Sequence, residues 1–421
     1  MTLRQLAASA LLALPVLAGC AADQSLNPPD LDNNEGLMAR YVAMGNSITA
    51  GLQSAGINEE LQRQSYARLF ALRAGAPFFI PTLSMPGCPP PLVNNITLER
   101  LGGGTPTTCA LRKDEFLPYV SNLAVPDTEV GDLLDPMTPD TRANALTTFI
   151  LGGRTQVEAM LETEPTFVSL WVGNNDVLGA LTNSADPGDE ALITPVGEFT
   201  TDYTAVLDAI EESGAQGAAL IGVADVSSIP FASTGAIYWC LSTGACPGVP
   251  QSLPPALTVL PSCAPAATGI VGAQGDQVLV PWPIGVPKIA AAAQGLPQTL
   301  DCTLDTEVVL PEEFAAMTAA VSAYNAFIEE QATQRGWAYV DVNPALLELK
   351  ATPLPENPYE APIVNFPILP TEGAPTESVF FGTFFSLDGV HPSGVAHRVI
   401  ADSLISAVNQ TYATSIPFVG P

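Results

Sequence analysis

Apolar residues in this chain gather into short runs separated by stretches where they recur every third or fourth position. The runs at 40–45 (Arg-Tyr-Val-Ala-Met-Gly), 78–85, 166–172, 217–223 and 337–342 have the length and composition of buried strands. A helix is expected over 59–74, with Leu61, Leu69, Phe70 and Leu72 as its apolar positions and Gly75 as its stop. Others are expected near 155–162 and over 196–213, the latter with Phe199, Tyr203, Val206, Leu207 and Ile210 in register. A helix over 311–335 has Pro311 at its start and Gly336 just past its end. A last one runs over 395–412. Strands alternating with helices predict an α/β domain: three α/β/α layers around a doubly wound, five-stranded parallel sheet.

Three long segments break this rhythm, at 88–140, 226–310 and 351–377, all rich in Pro, Gly and Thr. Loops of such length in a compact domain are functional covers, subdomains or passive decoration. They read here as insertions on the carboxyl edge of the sheet, where open α/β sheets bind ligands. The domain then spans 38–412, with a tail at 413–421.

The N-terminus reads as an export signal: Arg4, an apolar run from Leu6 to Leu17, then Leu17-Ala18-Gly19-Cys20. The run is too short to span a bilayer. Its ending resembles the bacterial lipobox, which implies a signal peptide over 1–19, lipidation at Cys20 and a polar tether over 20–37. Ala21 after that cysteine, in place of Asp, implies the outer membrane of a bacterium. Six cysteines remain after Cys20, an even number suited to disulfides in an exported chain. Proximity suggests Cys88–Cys109, Cys240–Cys246 and Cys263–Cys302. No Cys-x-x-Cys occurs, so neither metal nor cofactor is expected. With 14 basic and 43 acidic residues the net charge is −29, which leaves little material for a nucleic-acid-binding face.

Histidine is scarce: the chain has two, His391 and His397. His397 falls inside the last helix, where a lone histidine is ordinarily a packing or surface residue. His391 falls just before it, three residues after Asp388. That spacing lets a carboxylate hold one imidazole nitrogen while the other faces a nucleophile. Ser47 follows the first strand in Gly45-Asn46-Ser47-Ile48-Thr49-Ala50-Gly51, and a serine hydroxyl reacts only when such a base takes its proton. Gly173-Asn174-Asn175-Asp176 follows the third strand.

In this order and at these strand ends, the blocks resemble those of the SGNH (GDSL-type) hydrolases. The resemblance covers residues 38–410 and implies a flavodoxin-like SGNH fold and a serine ester hydrolase. It implies Ser47 as nucleophile, His391 as base and Asp388 as its partner. The oxyanion hole would come from the Ser47 N–H, the Gly87 N–H after the second strand, and the Asn175 side chain. Asn174 would fill the variable position, and Asp176 would cap the next helix or steady the loop. Asn46 stands where the family usually has Asp; an amide of the same shape still bonds to backbone groups. The chain lacks a Gly-x-Ser-x-Gly elbow. Phe231, Ile237, Tyr238, Trp239, Leu253, Leu257 and Trp282 in the second insertion suggest an apolar cover over an acyl or aryl ester, a small-molecule or lipid substrate. A carbohydrate O-acetyl esterase and a non-catalytic, ligand-binding surface lipoprotein are the alternatives.

Overall fold

The strand β1 (Tyr41–Gly45) is buried along its whole length, as a strand inside a parallel sheet must be. In the computed structural model, which describes residues 36–113, 116–135, 150–244, 252–369 and 378–420, it is followed in order by the elements that enclose it. These are α1 (Tyr66–Ala74), α2 (Gln156–Thr163), β2 (Phe167–Trp171), α3 (Asn175–Thr182), α4 (Val196–Glu212), β3 (Gly217–Ile221), α5 (Pro311–Arg335), β4 (Ala338–Val340), α6 (Asn343–Ala351) and α7 (Gly394–Tyr412). The four strands pair in the order β1–β2–β3–β4, every pair parallel, with Tyr41 opposite Phe167 and Phe167 opposite Gly217.

Side chains alternate across this sheet. Tyr41, Ala43, Phe167, Trp171, Ala219 and Ile221 face one core, closed by Phe70 of α1 and Leu404, Ile405 and Val408 of α7. Val42, Met44, Val168, Leu170 and Leu220 face the other, closed by α2, α4 and α5. The expected stripe of α4, from Phe199 to Ile210, is buried there. Gly336 ends α5 in the left-handed conformation (φ 67°), as its position in the sequence implies.

The expected strand at 78–85 does not form. Among its residues only Leu83 makes a bridge, to Arg112. The place beside β1 goes instead to residues 121–125. Ala43 N–H donates to the Ser121 carbonyl (2.8 Å), and Leu123 N–H donates to the Ala43 carbonyl (2.8 Å). Pro81 interrupts the donors of 78–85, whereas 121–125 offers an unbroken row and buries every residue. The expected helix over 59–74 also divides, into Glu59–Gln62 and α1. The Gln62 amide turns inward between them, donating to the Pro81 carbonyl and accepting the Leu83 N–H, and Ser65 caps α1.

Two disulfides form as proximity suggests, Cys88–Cys109 and Cys263–Cys302. Cys240 is also bridged, while Cys246 lies outside the described residues. The second insertion builds its own core around Tyr238, Leu241, Leu257, Ile289 and the Cys263–Cys302 bridge. The signal peptide, Cys20 and most of the tether lie outside the described residues, among which no helix is long and apolar enough to cross a membrane.

The end of β1 is fixed by one side chain. Gln156, at the start of α2, accepts the Gly45 N–H (2.9 Å) and donates to the Gly45 carbonyl (2.8 Å), all within the core. Gln156→Ala leaves the buried Gly45 N–H unpaired, at about 1–3 kcal/mol, while the Gly45 carbonyl keeps the Val125 N–H (3.2 Å). Urea unfolding should therefore show a loss of about 1–3 kcal/mol; a loss under about 0.5 kcal/mol, the scale of surface changes, would contradict this account.

His397 packs α7 on α1, fully buried, with Nδ1 accepting the Tyr66 N–H (3.2 Å). Burial, reinforced by the nearby His391, pushes its pKa down to about 3. The unfolded chain therefore takes up a proton below about pH 6.5 that the native chain refuses. Stability present above that value falls as pH drops towards the folded pKa, at up to about 1.4 kcal/mol per pH unit. Asp176 and Glu313, whose carboxyls burial raises to about 7, act in the opposite sense over this range, so the His397 contribution is read by difference: from about pH 7.5 to 5 the wild type should lose stability relative to His397→Gln.

Candidate active site

Backbone geometry brings Ser47 to the mouth of the sheet. Gly45 closes β1 at φ 150°, and a side chain there would set its Cβ 2.3 Å from the Trp171 carbonyl oxygen of the neighbouring strand. The chain then turns through Asn46, whose Oδ1 caps the single helical turn Ser47–Ala50 by accepting the Ile48 N–H (3.2 Å). The amide at position 46 thus keeps the backbone bond expected of it. Its Nδ2 is buried without a partner.

His391 reaches Ser47 from the loop before α7. Its Nε2 lies 2.9 Å from Ser47 Oγ and its Nδ1 lies 2.8 Å from Asp388 Oδ2. The Asp388 carboxylate is the most heavily bonded group in the site. Its Oδ1 accepts the backbone N–H of Val390 (2.9 Å) and of His391 (2.8 Å), and the Ser386 hydroxyl (3.1 Å). Its Oδ2 also accepts the Ala55 N–H (2.6 Å). Burial alone would raise the Asp388 pKa; the facing His391 imidazole and these donors outweigh it and hold the carboxyl down at about 2. Asp388 is therefore an anion at neutral pH, and it fixes a proton on His391 Nδ1, leaving Nε2 free to accept from Ser47.

Asn174 and Asn175 both border the space in front of Ser47. Asn175 Nδ2 donates to the Thr128 carbonyl (2.8 Å), which orients the amide and leaves its second hydrogen. Asn174 makes no capping bond to α3, and its Oδ1 is buried unpaired. Asp176 is fully buried and accepts the Val130 N–H (3.1 Å), so it ties the 128–130 turn to α3. Burial, with Glu129 nearby, raises its pKa to about 7.

Gly87 is not brought to this space. It lies against Ile57 and Pro89 (φ 133°), outside the cavity lining, because the segment before it is not the strand beside β1. Where that neighbouring segment ends, the chain has Pro126-Asp127-Thr128, with Asp127 in the left-handed region (φ 63°) and Thr128 holding Asn175. The signal for this turn was the apolar run Leu123-Ala124-Val125 stopped by Pro-Asp, which composition had assigned to an insertion.

The cavity itself encloses about 110 Å³ and opens beside Ser47 and His391. Its far walls are apolar: Leu346 and Leu349 from α6, Val399 and Ile400 from α7, and Val226 and Ile229 after β3. Every one of these segments follows a strand's carboxyl end or belongs to α7. The second insertion lines it through Val226 and Ile229 at its start, while the aromatic residues expected to cover it lie elsewhere. Tyr238 and Leu257 are consumed in that insertion's own core, Ile237, Trp239 and Leu253 pack against it, and Phe231 and Trp282 belong to the core beside it. Trp282 instead donates its indole N–H to the Asp388 carbonyl (3.3 Å). Among the described residues no cluster of metal-ligating side chains occurs.

No protein-family model matches the sequence, and no curated protein matches it. Solved structures similar to it include the acetyl xylan esterase AlAXEase, at 13% identity and a TM-score of 0.34, covering 87% of this chain and 99% of that one. A catalytic mutant of Axe2, an acetylxylan esterase from Geobacillus stearothermophilus, is similar at 12% identity and a TM-score of 0.37, covering 87% and 93%. A GDSL-like lipase from Parabacteroides merdae is similar at 11% identity and a TM-score of 0.36, covering 88% and 94%. At these values the similarities define neither the fold nor the activity of this chain, which rest on its own geometry.

Proposed function

We propose that this chain is a serine ester hydrolase of the SGNH type, acting through an acyl-enzyme. The observation that carries the reading is the unbroken chain Ser47 Oγ–His391 Nε2 and His391 Nδ1–Asp388 Oδ2, at 2.9 and 2.8 Å, beside an open cavity. Ser47 Oγ attacks the ester carbonyl as His391 Nε2 takes its proton. His391 then gives that proton to the leaving alcohol, and a water activated in the same way releases the acid. Asp388 holds the imidazole and stabilises its charge. The oxyanion is assigned to the Ser47 N–H and the second hydrogen of Asn175, a reading supported by both residues lining the cavity.

The apolar walls favour the acyl part of an ester over a sugar. Each methylene buried against Leu346, Leu349 and Val399 stabilises by about 0.8 kcal/mol. Export and lipidation at Cys20 belong to the same proposal, supported by the bridges at Cys88–Cys109 and Cys263–Cys302, which require an oxidising compartment.

A fluorophosphonate probe should label the wild type and not Ser47→Ala, and Ser47→Ala should lower kcat on the order of 10⁴–10⁶. Nitrophenyl esters lengthened from acetyl to hexanoyl should gain on the order of 10² in kcat/KM. A folded wild type that is never labelled would favour the ligand-binding alternative, and a sharp preference for acetyl on sugar acetates would favour the carbohydrate esterase. Radiolabelled palmitate should enter the full chain in a bacterial host and be absent from Cys20→Ala; equal labelling of the two would reject the anchor.

A further inference from the structure

Arg100 is a buried cation with no carboxylate beside it. It is 9% exposed and, among the described residues, forms no ion pair. Its Nη1 donates to two carbonyls, those of Ala55 (2.8 Å) and Pro90 (2.6 Å), and its Nε has no partner. Taking a guanidinium out of water for bonds to neutral carbonyls is a poor exchange for stability alone. What the exchange achieves is visible in what Ala55 does.

Ala55 sits in a tight turn. Gln53 N–H donates to the Gly56 carbonyl (2.9 Å) and Gly56 N–H to the Gln53 carbonyl (3.1 Å). The two residues between them, Ser54 (φ 55°) and Ala55 (φ 51°), are both left-handed. Hairpin turns with this pair of dihedrals ordinarily take Asn-Gly, so Ser-Ala holds the shape against its own preference. Such a conformation persists only where the surroundings over-determine it. Here the surroundings are the loop closed by Cys88–Cys109. Leu92 N–H donates to the Ser54 carbonyl, Ile57 N–H to the Pro89 carbonyl, and Arg100 grips the Ala55 carbonyl.

The other side of the turn meets the acid of the triad. Ala55 N–H donates to Asp388 Oδ2, and Ser54 N–H donates to Ser386 Oγ, which itself donates to Asp388 Oδ1. Asn95, on the same hairpin as Arg100 (Leu92–Asn94 paired with Glu99–Arg100), donates to the Leu387 carbonyl (2.8 Å) and to the Val379 carbonyl (2.9 Å). The disulfide-closed loop therefore grips the segment before Asp388 directly and the Asp388 carboxylate through Ala55.

We propose that Arg100 is a positioning residue for the catalytic acid: by fixing the Ala55 carbonyl it keeps the Ala55 N–H on Asp388, with the Cys88–Cys109 loop as its mount. This rests on Ser47, His391 and Asp388 acting as a triad. Misplacing a catalytic group slightly costs up to on the order of 10² in rate. The loop contributes no residue to the cavity lining, so substrate binding should be spared.

The test is a double-mutant cycle on the full chain, with nitrophenyl hexanoate: wild type, Arg100→Ala, Asp388→Asn and the double variant. Arg100→Ala should lower kcat by on the order of 10–10² with KM changed less than about twofold. In the Asp388→Asn background the same substitution should cost less than about twofold, because the group it positions is already lost. Arg100→Lys, which restores a donor, should recover part of the rate. If Arg100→Ala does not fold, the same cycle is run with Arg100→Met, which keeps the stem and removes the donors, and with the Cys88→Ser, Cys109→Ser pair, under the same expectations. A folded Arg100 variant with wild-type kcat, or equal losses in both backgrounds, would overturn the proposal and leave the esterase reading standing. A folded wild type with neither turnover nor Ser47 labelling would overturn both.

Discussion

Asp388 is the point on which this structure is hung. Its two oxygens accept five donors, from Ser386, Val390, His391 (twice) and Ala55. A buried carboxylate so bonded stays charged, with its pKa down at about 2, and a charged carboxylate holds a neighbouring imidazole in one orientation and one tautomer. The loop before α7, the turn after the Ser47 helix and the disulfide-closed insertion are brought together by this one group. Trp282 of the second insertion adds its indole N–H to the Asp388 carbonyl from the other side. Two segments that break the rhythm of the fold thus converge on Asp388, and the second also lines the cavity through Val226 and Ile229.

The sheet supplies the complementary half. Its strands are parallel, so Ser47, Asn175, Val226 and Val342 all follow carboxyl ends and arrive at one edge. Gln156 ties down the last residue of β1, and Thr128 orients Asn175, so Ser47 and the Asn175 amide, which border one cavity, are both held by other groups. α6 and α7 then wall the cavity with aliphatic side chains, which is where selection among esters would be exercised.

Several features were legible in the chain because local chemistry decides them. The β1, β2 and β3 strands are near-continuous apolar runs, and α4 and α5 carry their stripe and their stops. His391 was singled out by scarcity, since one of two histidines follows an aspartate by three residues. The segment 78–85 misled because Phe78, Phe79 and Ile80 look like a strand, while the consequence of Pro81 depends on which edge must pair with β1. Gly87 inherited that error: a glycine is an oxyanion donor only if the strand before it lies in the sheet. The aromatic residues of the second insertion misled in the opposite sense, because composition cannot distinguish a cover from a small core of its own.

The sequence by itself singled out the residues of the proposed triad. Ser47, Asp388 and His391 are named by residue type, spacing and position relative to strands, and these are properties of short stretches of chain. Proximity in the sequence also suggested the bridges Cys88–Cys109 and Cys263–Cys302, which the structure forms. Tertiary structure decided which segment lies beside β1, which residues wall the cavity, and that Ala55 and Arg100 stand behind Asp388. Contacts between residues 55 and 388, or 100 and 55, carry no local signature. They arise only when separate buried surfaces close on one another and each polar group left inside must find a partner.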